Sequence, residues 1–485
     1  MIDLTVHPDR LDDVVVRAKE RAIRIPTFAQ MRDPGLIPDD VRSELGDVGL
    51  WDLDPRNLFR ITWHNEPVPH GGGFGPVNAM ELPSELTGVD ARIIVLEGKW
   101  FPTGAHKVGA AFGCLVPRLV TGQFDPISQK AVWPSTGNYC RGGAYDSNLL
   151  GCESIAILPE GMSRERFEWL ETVAGEIIKT PGSESNVKEI FDKCNELAAS
   201  GEDLMIFNQF DEFGNYLWHY AVTGPAMVEV LEERMGPNDR FAGVVLTTGS
   251  AGTIGSGDYL KQAYPTSKIG AGEALQCPTI LYNGFGEHRI EGIGDKHIPW
   301  VHNLRNTDFA IGLDDEASTQ IIRLFNEPAG IAYLTDQGVK PDVVDQLPLL
   351  GISGVANMLG AIKFAKYNEL GSRDVVVTVG TDSMEMYGSR LAEMTVERGE
   401  FGTLDAAVAF NRYLLGAGID HVHELSYYDR KRVHNLKYYT WVEQQGKDAD
   451  ELVEQWDPDY WTAIQELVDP IDELIERFNG LVASA

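Results

Sequence analysis

FPTGAHKVGAAF, residues 101–112, follows directly on ARIIVLEGKW, residues 91–100. The apolar, β-branched run of 91–96 reads as a buried strand, and the small residues after it read as a tight loop opening a helix. Lys107 stands at that helix start. Most lysines are solvated, and a cation at the positive end of a helix is mildly unfavourable. A lysine set among Gly, Ala and Val at that place has its pKa lowered, which is the condition for a neutral amine that attacks a carbonyl. Its placement therefore points to covalent chemistry.

Outward from this stretch the same grammar repeats. ARIIVL, ESIAILP, EIIKTP, DLMIFN, AGVVLTT, PTILYN and DVVVTVG read as buried strands. Between them SRERFEWLETVAG, NVKEIFDKCNELAAS, LWHYAVTGPAMVEVLEERM and GVANMLGAIKFAKYNEL carry the i, i+3, i+4 spacing of helices. Alternation of this kind predicts an α/β fold with parallel sheets covered by helices. Residues 1–80, ending in HNEPVPHGGGFGPVNAM, read as a turn-rich N-terminal extension. After about residue 395 the pattern turns helical and aromatic, and residues 396–485 name no chemistry.

The chain has 485 residues, enough for two or three domains, with 73 acidic against 41 basic side chains and a formal net charge of −32. That charge repels nucleic acid and anionic membrane surfaces, so neither is expected as a partner. It suits a salt-adapted organism or a merely acidic enzyme surface. The five cysteines, Cys114, Cys140, Cys152, Cys194 and Cys277, are scattered and form no C-x-x-C pair. MIDLTVHPDRLDDVVVRAKER has acids where a signal peptide needs basic and apolar segments, so a reducing, cytoplasmic setting is expected. His288 and His297 lack carboxylate partners at ligand spacing; they are expected to be solvent-facing loop residues, and no metal is expected.

Two further turns bear on function. FAGVVLTTGSAGTIGSGDYLK, residues 241–261, is a strand, a small-residue loop and a helix start. Such a loop is either a tight turn or a cradle of N–H groups that closes on a phosphate. It has neither the dinucleotide register nor a following G-K-[ST]. WPSTGNYCRGGAYDSNLLG, residues 133–151, places Ser135, Thr136, Gly137 and Asn138 before a helix, either as an N-cap or as a carboxylate cradle. An amine nucleophile, a phosphate cup and a carboxylate cup together describe pyridoxal 5′-phosphate holding an amino acid.

The order and wording of these segments resemble the fold-type II pyridoxal-phosphate enzymes, the family of cysteine synthase, cystathionine β-synthase, threonine dehydratase and the tryptophan synthase β chain. PTGAHK is similar to the Schiff-base segment of that family, which implies Lys107 as the aldimine lysine with His106 beside the cofactor. STGN resembles the loop whose asparagine, here Asn138, meets the cofactor's 3′ oxygen. Ser135, Thr136, Gly137 and Tyr139 would then hold the substrate carboxylate. NQFDEFGNYLWHYAVTGPAM makes Gln209 a substrate-side candidate. Gly249, Ser250, Ala251, Gly252 and Thr253 stand where the family has its phosphate loop, and GISGVANMLGAIKFA places Ser353 at the pyridine nitrogen. Ser250 and Ala251 replace the usual Thr and Gly, and Tyr139 and Cys140 replace Thr and Gly.

The resemblance covers about 75–395. It implies two three-layer αβα domains, a large one from 81–106 and 221–395 and a small substrate-closing one from 107–220, in a homodimer. A serine at the ring nitrogen supplies no formal charge, so a carbanion with a leaving group at Cβ is expected to expel it. The implied activity is β-elimination followed by β-replacement on a β-substituted L-amino acid, through an aldimine and an aminoacrylate, as in cysteine synthase. Two alternatives stay open: a dehydratase or ammonia-lyase releasing a 2-keto acid, and a non-catalytic cofactor-binding subunit.

Overall fold

The computed structural model describes residues 1–484 and contains two sheets. The strands, in chain order, are β1 (Ala79–Leu82), β2 (Arg92–Glu97), β3 (Lys130–Pro134), β4 (Glu153–Pro159), β5 (Glu176–Thr180), β6 (Leu204–Ile206), β7 (Arg240–Thr247), β8 (Lys268–Ala274), β9 (Phe309–Leu313), β10 (Asp374–Gly380) and β11 (Val422–Glu424). A seven-stranded sheet has the order β1-β2-β10-β7-β8-β9-β11, and a four-stranded sheet the order β5-β4-β3-β6. The smaller sheet is parallel throughout. In the larger one only the edges, β1 on β2 and β11 on β9, are antiparallel.

Burial explains the apolar runs. Ile93, Ile94, Val95 and Leu96 of β2 and Val375, Val376 and Val377 of β10 are all fully buried, as helices on both faces of a parallel sheet require. The α/β class read from sequence holds. Three parallel strands escape the sequence reading, however: β3 (KAVWP), β8 (KIGAGEA) and β9 (FAIGL). In β8, Gly270 and Gly272 leave room for Ile311 and Leu313 of the next strand, so the strand lacks the β-branched signature. Conversely PTILYN is no strand. Thr279–Tyr282 is a short helix because the buried Glu273 carboxylate accepts from the N–H groups of Ile280 and Leu281, both at 2.8 Å.

The terminal segments pack together. Asp472, on the helix Val468–Ala483, accepts from the N–H groups of Phe28 and Ala29, and Asn479 bonds both the N–H and the carbonyl of Ile25. Residues beyond 395 are not purely helical, since β11 extends the larger sheet. They also support the chain after β8. Lys437, fully buried, donates to the carbonyls of Trp300 and His302 and to Gln455, each at 2.8 Å, while the indole of Trp441 donates to the carbonyl of Ile298. No single helix among the described residues is long and apolar enough to cross a membrane.

Candidate active site

Ligands of open parallel sheets sit beyond the carboxyl ends of the strands. A cleft lies there, and seven of the eleven strands send it a segment. β2 leads to His106 and Lys107, β3 to Ser135, Thr136, Asn138 and Tyr139, β5 to Glu184, and β6 to Gln209 and Phe210. β7 leads to Gly249, Ser250, Ala251 and Thr253, the chain after β8 to Gly292 and Asp295, and β10 to Thr381. Asn357, from the helix Ile352–Tyr367, completes the wall.

Lys107 opens the helix Lys107–Val120 and is half-buried, its Nζ donating to Ser250 Oγ at 2.7 Å. Burial pushes the amine down to about 8, against a smaller opposing pull from the Asp295 carboxylate. The loop that presents Lys107 is held in an uncommon conformation, with the buried, β-branched Thr103 at φ 70°. His106 is buried against Trp63 and His219, and burial together with the Lys107 charge lowers it to about 3, so it is a neutral imidazole.

The glycine-rich loop Gly249–Thr253 opens the helix Ile254–Ala263. The backbone N–H groups of Ser250, Ala251, Gly252 and Thr253 have no acceptor among the described residues. A Cβ on Gly252 would lie 2.0 Å from Asn215 Oδ1, so glycine is required there, and Ala251 takes φ 59°, a left-handed value usually given to glycine. Asn215 ties this loop to the substrate side by donating to Ser250 Oγ (3.0 Å) and to the carbonyl of Gln209 (2.9 Å). Gln209 in turn donates to Ser135 Oγ at 3.3 Å.

The Ser135–Asn138 loop is braced from beneath. Arg166, fully buried, donates to the carbonyl of Thr136 (3.0 Å) and the hydroxyl of Tyr387 (2.8 Å), and pairs with Glu291 at 2.9 Å. A Cβ on Gly137 would stand 2.2 Å from Arg166 Nη1. Asn138 Nδ2 donates to Asp382 at 2.7 Å, and Tyr387 donates to the same oxygen at 2.6 Å. Asn138 Oδ1 is buried without a partner.

These features fit pyridoxal phosphate. Unpaired N–H groups at a helix start suit its phosphate, a depressed lysine amine suits its aldehyde, and the unpartnered amide oxygen of Asn138 leaves that side chain free capacity toward a ligand.

The cleft brings together His106, Lys107, Ser135, Thr136, Asn138, Tyr139, Gln209, Gly249, Ser250, Ala251 and Thr253. Gly137 and Gly252 are backbone members of the same two loops. Ser353 is buried behind Gly292, where its Oγ would lie 3.8 Å from a Cβ at that glycine; it is not part of the cleft wall, whereas Thr381 is. His288 and His297, expected to face solvent, are both buried. His288 Nε2 bonds the carbonyl of Gly294 at 2.8 Å, and the His297 ring packs edge-on to Phe210 at 4.7 Å. Among the described residues no cluster of metal-ligating side chains forms.

Sequence reasoning missed Glu184, Asp295, Asn357 and Thr381, as well as the brace of Arg166, Glu291 and Asp382. Burial raises Glu184 to about 8, partly opposed by Arg166, and raises Asp295 to about 7, opposed by Lys107. Their position one loop beyond a parallel strand is the signal that could have found Glu184 and Thr381.

Comparison with known proteins agrees with this geometry. Residues 71–339 match the family described as pyridoxal-phosphate dependent enzyme. A probable cysteine synthase of Bacillus subtilis is 29% identical over 300 residues, covering 61% of this chain and 89% of the relative. A cysteine synthase of Staphylococcus aureus is 30% identical over 59% of this chain and 84% of its own length. Among solved structures, the O-acetylserine dependent cystathionine β-synthase of Helicobacter pylori superposes with TM-score 0.53 at 22% identity, covering 64% of this chain and 95% of that one. The cysteine synthase of Entamoeba histolytica gives 0.56 at 20% identity, covering 69% and 92%. At these identities the structures speak for the fold, while the family match spans over half of the sequence. The chain belongs to the pyridoxal-phosphate-dependent enzyme family.

Proposed function

We propose that the protein carries out cysteine synthase-like β-replacement on a β-substituted L-amino acid, with Lys107 as the base at Cα. The observation that carries this is the depressed amine of Lys107 inside a cleft lined on one side by unpaired loop N–H groups and on the other by the Ser135–Asn138 loop. Pyridoxal phosphate, when bound, supplies the electron sink for the substrate's Cα. Gly249–Thr253 would hold its phosphate, Lys107 its aldehyde carbon and Asn138 its ring oxygen. Thr381 offers a hydroxyl, and no charge, for the ring nitrogen.

The rest falls to the chain's own side chains. Ser135, Thr136 and the N–H groups of their loop receive the substrate carboxylate, and Arg166 fixes that loop through the carbonyl of Thr136. Lys107 Nζ takes the Cα proton, and the Cβ substituent leaves with its bonding electrons. Tyr139, Gln209 and Phe210 line the site, and the space they take from water favours an added nucleophile over hydrolysis. A homodimer accompanies this reading, by the resemblance and the general frequency of twofold assemblies.

The test is a screen of β-substituted L-alanines with the holoenzyme, with and without sulfide, products identified by mass spectrometry. Replacement products are expected, and Lys107→Ala should lower leaving-group release at least about a thousandfold, in keeping with loss of a covalent and general-base group. Unchanged release in that variant would overturn the reading, and formation of a 2-keto acid whatever nucleophile is present would make the reaction a deamination.

A further inference from the structure

The cleft has a neighbour. A cavity of 250 Å³ lies between Gly161, Met162 and Ser183 on the small-sheet side and the chain from His288 to Glu291 with the helices Asp315–Asn326 and Gly388–Arg398 on the other. Glu184 lies in the wall of both spaces. The cavity's apolar surface comes from Met162, Ile322, Ile352 and Met394.

Its charges are unbalanced. Arg390 is occupied by Glu291, Glu393 and the carbonyl of Gly161, and Arg289 by Asp315 and Glu316. Glu397, exposed at the rim, has no ion-pair partner among the described residues. Glu184 is 2% exposed; it accepts from the Thr136 hydroxyl through Oε1, while Oε2 is buried with no partner at all. A buried carboxyl oxygen without a donor is a cost that a bound donor would remove. Asp295, the other carboxyl of the cleft, interacts electrostatically with Glu184.

The geometry points to a second-substrate site in this cavity that takes a primary amine with an apolar chain, its ammonium end at Glu184 and Asp295, and delivers it as the nucleophile to Cβ. This rests on the β-replacement reading. The cavity offers hydrosulfide, an anion, no unpaired cation, whereas an ammonium at Glu184, in the shared wall, would favour the ionised form of that carboxyl and of Asp295 in the cleft against the burial that raises both. The chemistry balances without any oxidant. One N–H proton of R–NH₃⁺ passes to the Asp295 carboxylate, the freed lone pair forms the bond from N to Cβ, and Cα receives the proton that Lys107 Nζ took from it. The leaving group has already departed with its electron pair, and Asp295 returns its proton to solvent. The high proton affinity that burial gives Asp295 suits it to this step.

Two measurements on the holoenzyme test the assignment. In the first, β-chloro-L-alanine is offered with n-butylamine and sulfide together, and both products are quantified by mass spectrometry. In the second, calorimetry without donor gives the affinity for n-butylamine. The N-butyl derivative of 2,3-diaminopropanoate is expected, and Glu184→Gln should lower both the amine-to-sulfide product ratio and the butylamine affinity at least tenfold. Glu397→Lys, on the surface and so free of folding risk, should weaken the same affinity severalfold. Cysteine formed with no amine product, or affinity unchanged in both variants, overturns the inference and leaves β-replacement standing. No chloride release under any condition overturns the parent reading as well.

Discussion

Lys107 shows how far one residue's surroundings set its chemistry. An exposed lysine is protonated throughout the neutral range, but burial disfavours the ammonium and moves half-neutralisation to about 8. The sign gives a prediction. Apoprotein reloaded with pyridoxal phosphate should take up cofactor at a rate that climbs as pH rises through about 8 and levels off above it. A lysine of ordinary pKa would still be climbing beyond 9 to about 10. Stopped-flow absorbance of the bound cofactor reads this directly. At the same scale, Glu184 and Asp295 were invisible beforehand because a carboxyl's meaning depends on whether it is buried. GSESN and GIGDKH look like ordinary polar loops until the fold closes over them.

At the scale of elements, the site depends on a buried ionic brace between the helix Arg164–Val173 and the segments around Glu291 and Asp382. Arg166 joins the small-sheet side to the larger sheet and at the same time holds Thr136. Arg166→Leu would leave Asp382 buried without its cation and Glu291 with Arg390 alone, at a cost of about 3–5 kcal/mol, readable by urea unfolding of the holoenzyme. Gly137→Ala is the gentler probe. Its Cβ must displace the guanidinium, so it should raise KM for the amino-acid donor more than it lowers kcat. Steady-state kinetics on the best donor of the screen separates the two. The loops themselves were readable: Gly-Ser-Ala-Gly-Thr after an apolar strand and Ser-Thr-Gly-Asn before a helix carry local chemistry. The brace was not, because Arg166 lies more than a hundred residues from both Glu291 and Asp382 in the chain.

The molecule as a whole carries a net charge of −32, spread over a surface whose ion pairs leave many acids unpartnered. Self-repulsion of that size opposes compactness. Raising salt from about 0.01 M, where the screening length is about 30 Å, to about 1 M, where it is about 3 Å, should therefore raise the thermal midpoint of the holoenzyme in scanning calorimetry. A falling midpoint would show that attractive surface pairs dominate instead. The terminal regions also acquire a role at this scale. The last hundred residues add an edge strand and pin the chain that carries Asp295, through Lys437 and Trp441, which their composition alone did not announce.

The sequence was enough to read the α/β class and, through the order of its motifs, the cofactor, and it put forward Lys107 and two glycine- and hydroxyl-bearing loops as the candidates to hold that cofactor. Apolar runs demand burial on both faces of a sheet, and glycine and hydroxyl residues dictate what a turn can bind. Tertiary structure alone decided which carboxyls face the cleft, that Thr381 lines it while Ser353 lies behind Gly292, that both loop histidines are buried, and that a second cavity adjoins the first. Those facts depend on contacts between segments far apart in the chain, and the free energy of a charge or hydroxyl is set by what packs against it.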